Sequence, residues 1–121
     1  MDNQLEQARD IWVNAFFTGN YAVLAQYEGE HFTVVYERDG RTESSHTRYE
    51  RIAHAVKNGV WKPQKPDVEY EEFEFNREQT ECRILIGLRE SRQQIKEVWR
   101  YSGVWKIQEL RFLKAERAAA H

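Results

Sequence analysis

The feature that most constrains this chain is a change of hydrophobic period at the loop Trp61-Lys62-Pro63-Gln64-Lys65-Pro66-Asp67. Before the loop, apolar residues recur mainly at helical spacing; after it, they recur at nearly every second position. Leu5, Ala8, Trp12, Ala15 and Phe16 form one amphipathic stripe, which Asp2 or Asn3 can cap and Gly19 can end. Asn20 reads as the N-cap of a short helix holding Tyr21, Leu24 and Ala25 and ending near Gly29. His31 to Glu37 is β-branched and aromatic, and Arg38-Asp39-Gly40 turns the chain into a return strand over Arg41 to Ser44. Thr47-Arg48-Tyr49-Glu50 fits a capping box, with Tyr49, Ile52, Ala53 and Val56 on one face of a third helix up to Asn58-Gly59.

Beyond the prolines the chain reads as strand. Val68 and Tyr70 alternate in one register and Phe73 and Phe75 in the other, so a β-bulge is expected at Glu71-Glu72. Cys82, Ile84, Ile86 and Leu88 alternate in the next strand, and Ile95–Tyr101 and Trp105–Lys114 make a last hairpin around Ser102-Gly103. Helices first and strands afterwards predict an α+β protein: three N-terminal helices on a bulged antiparallel sheet. With 121 residues the expectation is one domain, residues 1–59 giving helices and first hairpin and 68–115 the main sheet. Its Ala118–His121 tail is expected to fray.

The last hairpin carries the functional reading. Ile95, Glu97, Trp99 and Tyr101 share one face of their strand, as do Trp105, Ile107, Glu109 and Arg111 of theirs. A three-residue turn at Gly103 merges the two sets, whereas a two-residue Ser-Gly turn sets Lys106, Gln108 and Leu110 beside Trp99. The first register gathers two Trp, two Ile and a Tyr on one buried side and brings Glu97, Glu109 and Arg111 there too. Close carboxylates in a poorly solvated cavity cannot both ionise cheaply unless a cation such as Arg111 compensates. The same grouping serves a structural ion-pair network as readily as a catalytic one, and the other register leaves all three at the surface. The opposite face, with Val98, Leu110 and Phe112 beside Arg100 and Lys106, is apolar enough to suggest a homodimer through the outer sheet.

Composition narrows the partners. Eighteen Lys and Arg against twenty Asp and Glu are interleaved without a basic stripe, which argues against nucleic acid. No apolar run approaches the roughly 20 residues of a membrane span. The single cysteine and a start without a basic or apolar leader pattern give a cytoplasmic expectation. His31, His46, His54 and His121 show no metal-ligand spacing, so neither metal nor cofactor is expected. Cys82 reads as a buried, inert thiol and the acidic run Glu69–Glu74 as a solvated strand face.

Phe17-Thr18-Gly19-Asn20-Tyr21 followed by Leu24, and the closing Gly103-Val104-Trp105-Lys106-Ile107, resemble segments of the nuclear transport factor 2-like (NTF2-like) superfamily, also called cystatin-like or polyketide-cyclase-like (SnoaL-like). The resemblance spans nearly the whole chain. It implies a cone, in which a curved sheet wraps the first helix around a blind pocket and the outer face often dimerises. Members include isomerases, dehydratases, cyclases and hydrolases beside binding-only proteins, so the fold leaves function open. Glu97 in Glu97-Val98-Trp99-Arg100-Tyr101 is similar to the acid that ketosteroid isomerases place on the penultimate strand. Their base position holds Tyr36, with Glu37 facing the other way, and no Tyr donor stands among Trp12, Ala15, Phe16 and Phe17, which disfavours a steroid-type isomerase. Glu97, Glu109 and Arg111 are similar in composition to the Arg-bridged carboxylates of epoxide hydrolases of this fold, on a different strand.

The expected site is thus a pocket lined by Trp12, Phe16, Tyr36, Tyr49, Trp99 and Tyr101, holding a small apolar or aromatic molecule with a polar end. Glu97 would be its acid or base, Glu109 the coupled partner and Arg111 the group that sets their charge, without a cofactor. A non-catalytic ligand-binding or dimeric interaction module is the alternative; a cone plugged by Trp12, Trp99 and Phe16 is what would favour it.

Overall fold

The computed structural model describes residues 3–89, 91 and 93–114. Its elements run α1 (Asn3–Thr18), α2 (Tyr21–Tyr27), β1 (Glu28–Tyr36), β2 (Arg41–Ser44), α3 (Ser45–Lys57), β3 (Val68–Phe75), β4 (Glu81–Leu88), β5 (Gln94–Tyr101) and β6 (Trp105–Phe112). The strands form one curved, unclosed sheet in the order β2-β1-β6-β5-β4-β3 with the helices packed on it. Every neighbouring pair is antiparallel except β1 and β6, which run parallel. No described helix is long and apolar enough to cross a membrane. The Ala118–His121 tail and Ala115 lie outside the described residues.

Local chemistry sets the element ends. Gly19 ends α1 at φ +74°, and a Cβ there would sit 2.5 Å from Val56, so both backbone and packing require glycine. Asn20 caps α2 by accepting from the Val23 N–H at 3.3 Å. Ser44, not Thr47, caps α3, its hydroxyl accepting from the Thr47 N–H. The helix therefore starts three residues earlier than the capping box suggests and buries Arg48 and Ile52 while Val56 is exposed. The core between helices and sheet contains Leu5, Trp12, Leu24, Ile52, Trp99 and Ile107.

Two bulges correct the sequence reading. On β3 the irregularity falls between Val68 and Tyr70 and not at Glu71-Glu72. Tyr70 pairs with Gly87 and lies across it, its hydroxyl accepting from Gln94 Nε2 at 2.7 Å. Glycine makes room for the ring, so Tyr70 faces out while Phe73 and Phe75 follow Ile84 and Cys82 inward.

The second bulge matters more. Tyr101 pairs with Trp105 and Trp99 with Ile107, as the three-residue turn predicts, but the next pairs are Val98 with Glu109 and Glu97 with Leu110. Gln108 is the extra residue. Past it, Leu110 and Phe112 turn inward while Glu109 and Arg111 turn outward, because burying two apolar side chains outweighs burying an acid and a guanidinium. The outer face accordingly carries Val98 among Arg83, Lys96, Glu109 and Arg111, and the apolar residues invoked for an outer-face homodimer, Leu110 and Phe112, belong to the inner one.

Deleting Gln108 would remove the bulge and leave Ile107, Glu109 and Leu110 alternating without a break, so Leu110 and Phe112 would stay inward. Urea denaturation followed by Trp fluorescence should therefore show the deletion variant folded, whereas Leu110→Ala should lose about 2–5 kcal/mol, a large share of the roughly 5–15 kcal/mol of a small domain.

Candidate functional site

The inner face of β5 places Glu97 and Trp99 under α1. Glu97 is buried, and both its carboxylate oxygens are occupied. Oε1 accepts from Arg9 Nε at 2.8 Å and from the Trp99 indole N–H at 2.7 Å; Oε2 accepts from Arg9 Nη2 at 3.1 Å. Arg9 also reaches Glu71 on β3 at 2.9 Å. Burial opposes its charge, but hydrogen bonds and Coulomb attraction from Glu97 and then Glu71 outweigh it and raise the guanidinium pKa further.

A second buried carboxylate, Glu28 at the start of β1, is held in the same manner. Its Oε2 accepts from Arg48 Nη1 at 2.7 Å and from the Trp12 indole N–H at 2.8 Å, and its Oε1 accepts from the Tyr49 hydroxyl. Burial, and then the Glu28 charge and hydrogen bond, push the Tyr49 phenol pKa up. The two clusters meet where Trp12 stands edge-on to Trp99, ring centroids 5.7 Å apart at 87°. Phe16 packs against Trp61 and beneath the Arg48 guanidinium, closing the space from the α3 side.

The remaining expected site residues separate. Tyr36 belongs to a third cluster, donating to Glu43, which also takes Arg51 at 2.7 Å. Its ring stacks on Phe112 and carries the Arg41 guanidinium at 4.2 Å. Tyr101 is 36% exposed and leans on Trp105 at the tip of the last hairpin. Glu109 and Arg111 lie on the outer face, where Arg111 grips Glu109 at 2.9 Å and Glu37 at 2.9 Å. The Lys114 backbone N–H and then Arg111 hold the Glu37 carboxyl below the usual glutamate range. The expected grouping of Glu97 with Glu109 and Arg111 is therefore not formed; the cation on Glu97 is Arg9. Cys82 is buried, and burial pushes its thiol pKa up to about 11, far from a reactive thiolate.

The sequence reading missed Arg9, Glu28 and Arg48. Their signal lay in the helical stripes: Arg9 falls between Leu5 and Trp12, and Arg48 one turn before Ile52, so each guanidinium was bound to need a buried counter-charge. Depressions open on the surface of the described residues. One of about 270 Å³ involves Gly29, His31, Arg100, Lys106 and Gln108, and one of about 220 Å³ involves Tyr36, Arg38, Gln93 and Phe112. Glu97 lines neither.

Glu97→Ala would leave Arg9 buried beside Glu71 alone, and the expected cost in urea denaturation is about 3–5 kcal/mol. Arg9→Leu combined with Glu97→Leu should recover most of it; an Ala variant as stable as the parent would refute the pairing. Because folding raises the Tyr49 phenol pKa, its contribution to stability is present below the unfolded value of about 10 and is lost as pH rises through the folded one. Absorbance titration of the six tyrosines should show late phenolate components from Tyr36 and Tyr49, the latest of which Tyr49→Phe removes.

No family model matches the sequence, and no curated protein matches it. Solved structures do. An NTF2-like protein from Cytophaga hutchinsonii superposes with a TM-score of 0.69 at 11% identity, covering 93% of this chain and 96% of that one. A protein with a cystatin-like fold from Caulobacter vibrioides gives 0.68 at 11% identity over 98% and 92% of the two chains. A candidate ketosteroid isomerase from Shewanella frigidimarina gives 0.63 at 14% identity over 88% and 92%. With three helices, a six-stranded curved sheet and these neighbours, the chain has the NTF2-like fold.

Proposed function

We propose that this chain is a non-catalytic interaction module in which the cone interior is structural core and binding is carried by the surface. One observation carries the reading: of the three buried carboxylates, Glu97 and Glu28 each already hold an arginine and an indole N–H, with Trp12 and Trp99 packed between them, and Glu43 holds Arg51 and the Tyr36 hydroxyl. A general acid or base needs a free oxygen within reach of a substrate proton. Here a substrate would have to displace a guanidinium and an indole before meeting Glu97 or Glu28, and the space it would enter is filled by aromatic rings.

The indole N–H signals of Trp12 and Trp99 report directly on this. In amide proton–nitrogen NMR spectra, a panel of steroids and aromatic carboxylic acids should leave both signals unmoved. A saturable shift of either, with turnover of that compound lost in Glu97→Gln, would restore the pocket reading.

The outer sheet face supports a second expectation. Interface centres are depleted in charge, yet Val98 is surrounded by Arg83, Lys96, Glu109 and Arg111. Val98→Asp should therefore leave the sedimentation coefficient unchanged; a decrease would place a dimer contact on this face.

A further inference from the structure

The free edge of β3 deepens the reading of this chain as an interaction module and rests on it. β3 ends the sheet, pairing with β4 on one side only. Seven of its eight residues are exposed, and among the described residues α1 reaches it through the Arg9 side chain, which bonds Glu71 and stands over Phe73, while the helix backbones stay away from it. At about 3.3 Å per residue, it offers a ladder of peptide groups roughly 25 Å long with no partner on one side. Edge strands of this length are templates for another extended chain.

Its side chains specify what kind. On the inner side stand Glu71, Phe73 and Phe75, with Phe73 39% exposed and Arg9 close to its ring. On the outer side stand Tyr70, Glu72 and Glu74. An added strand would set alternate residues beside Phe73 and Phe75 and the intervening ones beside Glu72 and Glu74. A second copy is a poor occupant. Two-fold antiparallel pairing centred on residue 70 opposes Glu69 to Glu71, centred on 71 or 72 it opposes a glutamate to itself, and centred on 73 it opposes Glu72 to Glu74. Like charges directly opposite are destabilising. The geometry points to β3 as a docking edge for an extended basic segment of another protein, with apolar residues facing Phe73 and Phe75 and Lys or Arg facing Glu72 and Glu74.

The probe is a synthetic peptide of about six residues, a common strand length, alternating lysine and valine. Three controls go with it: glutamate in place of lysine, N-methyl groups on alternate peptide nitrogens, and the folded variant Glu72→Gln/Glu74→Gln. Binding is followed by fluorescence anisotropy and by amide NMR shifts on the full chain. The expected result is saturable binding with shifts concentrated in residues 69–75. It should be lost with the glutamate peptide, lost with the methylated peptide on the face that meets β3, and weakened about tenfold in the double variant.

Absence of binding would overturn the proposal, as would equal binding of methylated peptides, which would mean charge attraction without strand addition. Shifts confined to another surface would overturn the β3 assignment while leaving the module reading in place. That reading fails separately, through the indole signals of Trp12 and Trp99. A concentration-dependent dimer of the parent chain that the Gln variant tightens or abolishes would show the edge to be a self-contact and also end the proposal.

Discussion

The edge-to-face contact between Trp12 and Trp99 joins α1 to the centre of the sheet, and the buried Glu28, Arg48 and Glu97 are arranged around it. Each indole N–H must find an acceptor once it is out of water, since an orphaned buried donor costs about 1–3 kcal/mol. A carboxylate answers that need, and a carboxylate so deep then needs a cation. Glu97 brings Arg9, and Glu28 brings Arg48 and Tyr49. Apolar packing and ionic pairing in this interior are therefore one assembly, in which no member can be freed for chemistry without stranding another.

Much of the architecture was legible in the sequence because it is written locally. The stripe from Leu5 to Phe16, the Gly19-Asn20 joint, the Arg38-Asp39-Gly40 turn and the alternation from Cys82 to Leu88 each carry their own period or punctuation. The candidate site was legible only in part. Glu97 and Trp99 were placed inward, and Trp12 and Trp99 do meet, but Glu109 and Arg111 were carried to the wrong face by strict alternation along β6. The apolar residues of that strand, Trp105, Ile107, Leu110 and Phe112, are spaced two, three and two apart, which is a bulge written in the sequence. Arg9 as partner of Glu97 was harder to see, because an ion pair spanning 88 positions leaves no local trace.

Fold and function part company at a few side chains. In this chain tryptophans occupy the interior and an arginine neutralises Glu97, and the fold by itself assigns no function to that arrangement. Here the position that is similar to a ketosteroid isomerase acid carries the right residue type, Glu97, in a setting that ties up its oxygens. What distinguishes such chains is the company a carboxylate keeps, more than its place on the strand.

The parallel pairing of β1 with β6 has a consequence for how the chain is made. Glu37, just past β1, bonds Arg111 of β6 from 74 positions away, and nothing in between can substitute for that neighbour. While the polypeptide emerges from a ribosome, the first hairpin must wait with one side of β1 bare until the closing strand has been synthesised. Completion of the sheet is thereby a late event, governed by the slow entropy of a long loop, and the nascent chain is most vulnerable to mispairing during that interval.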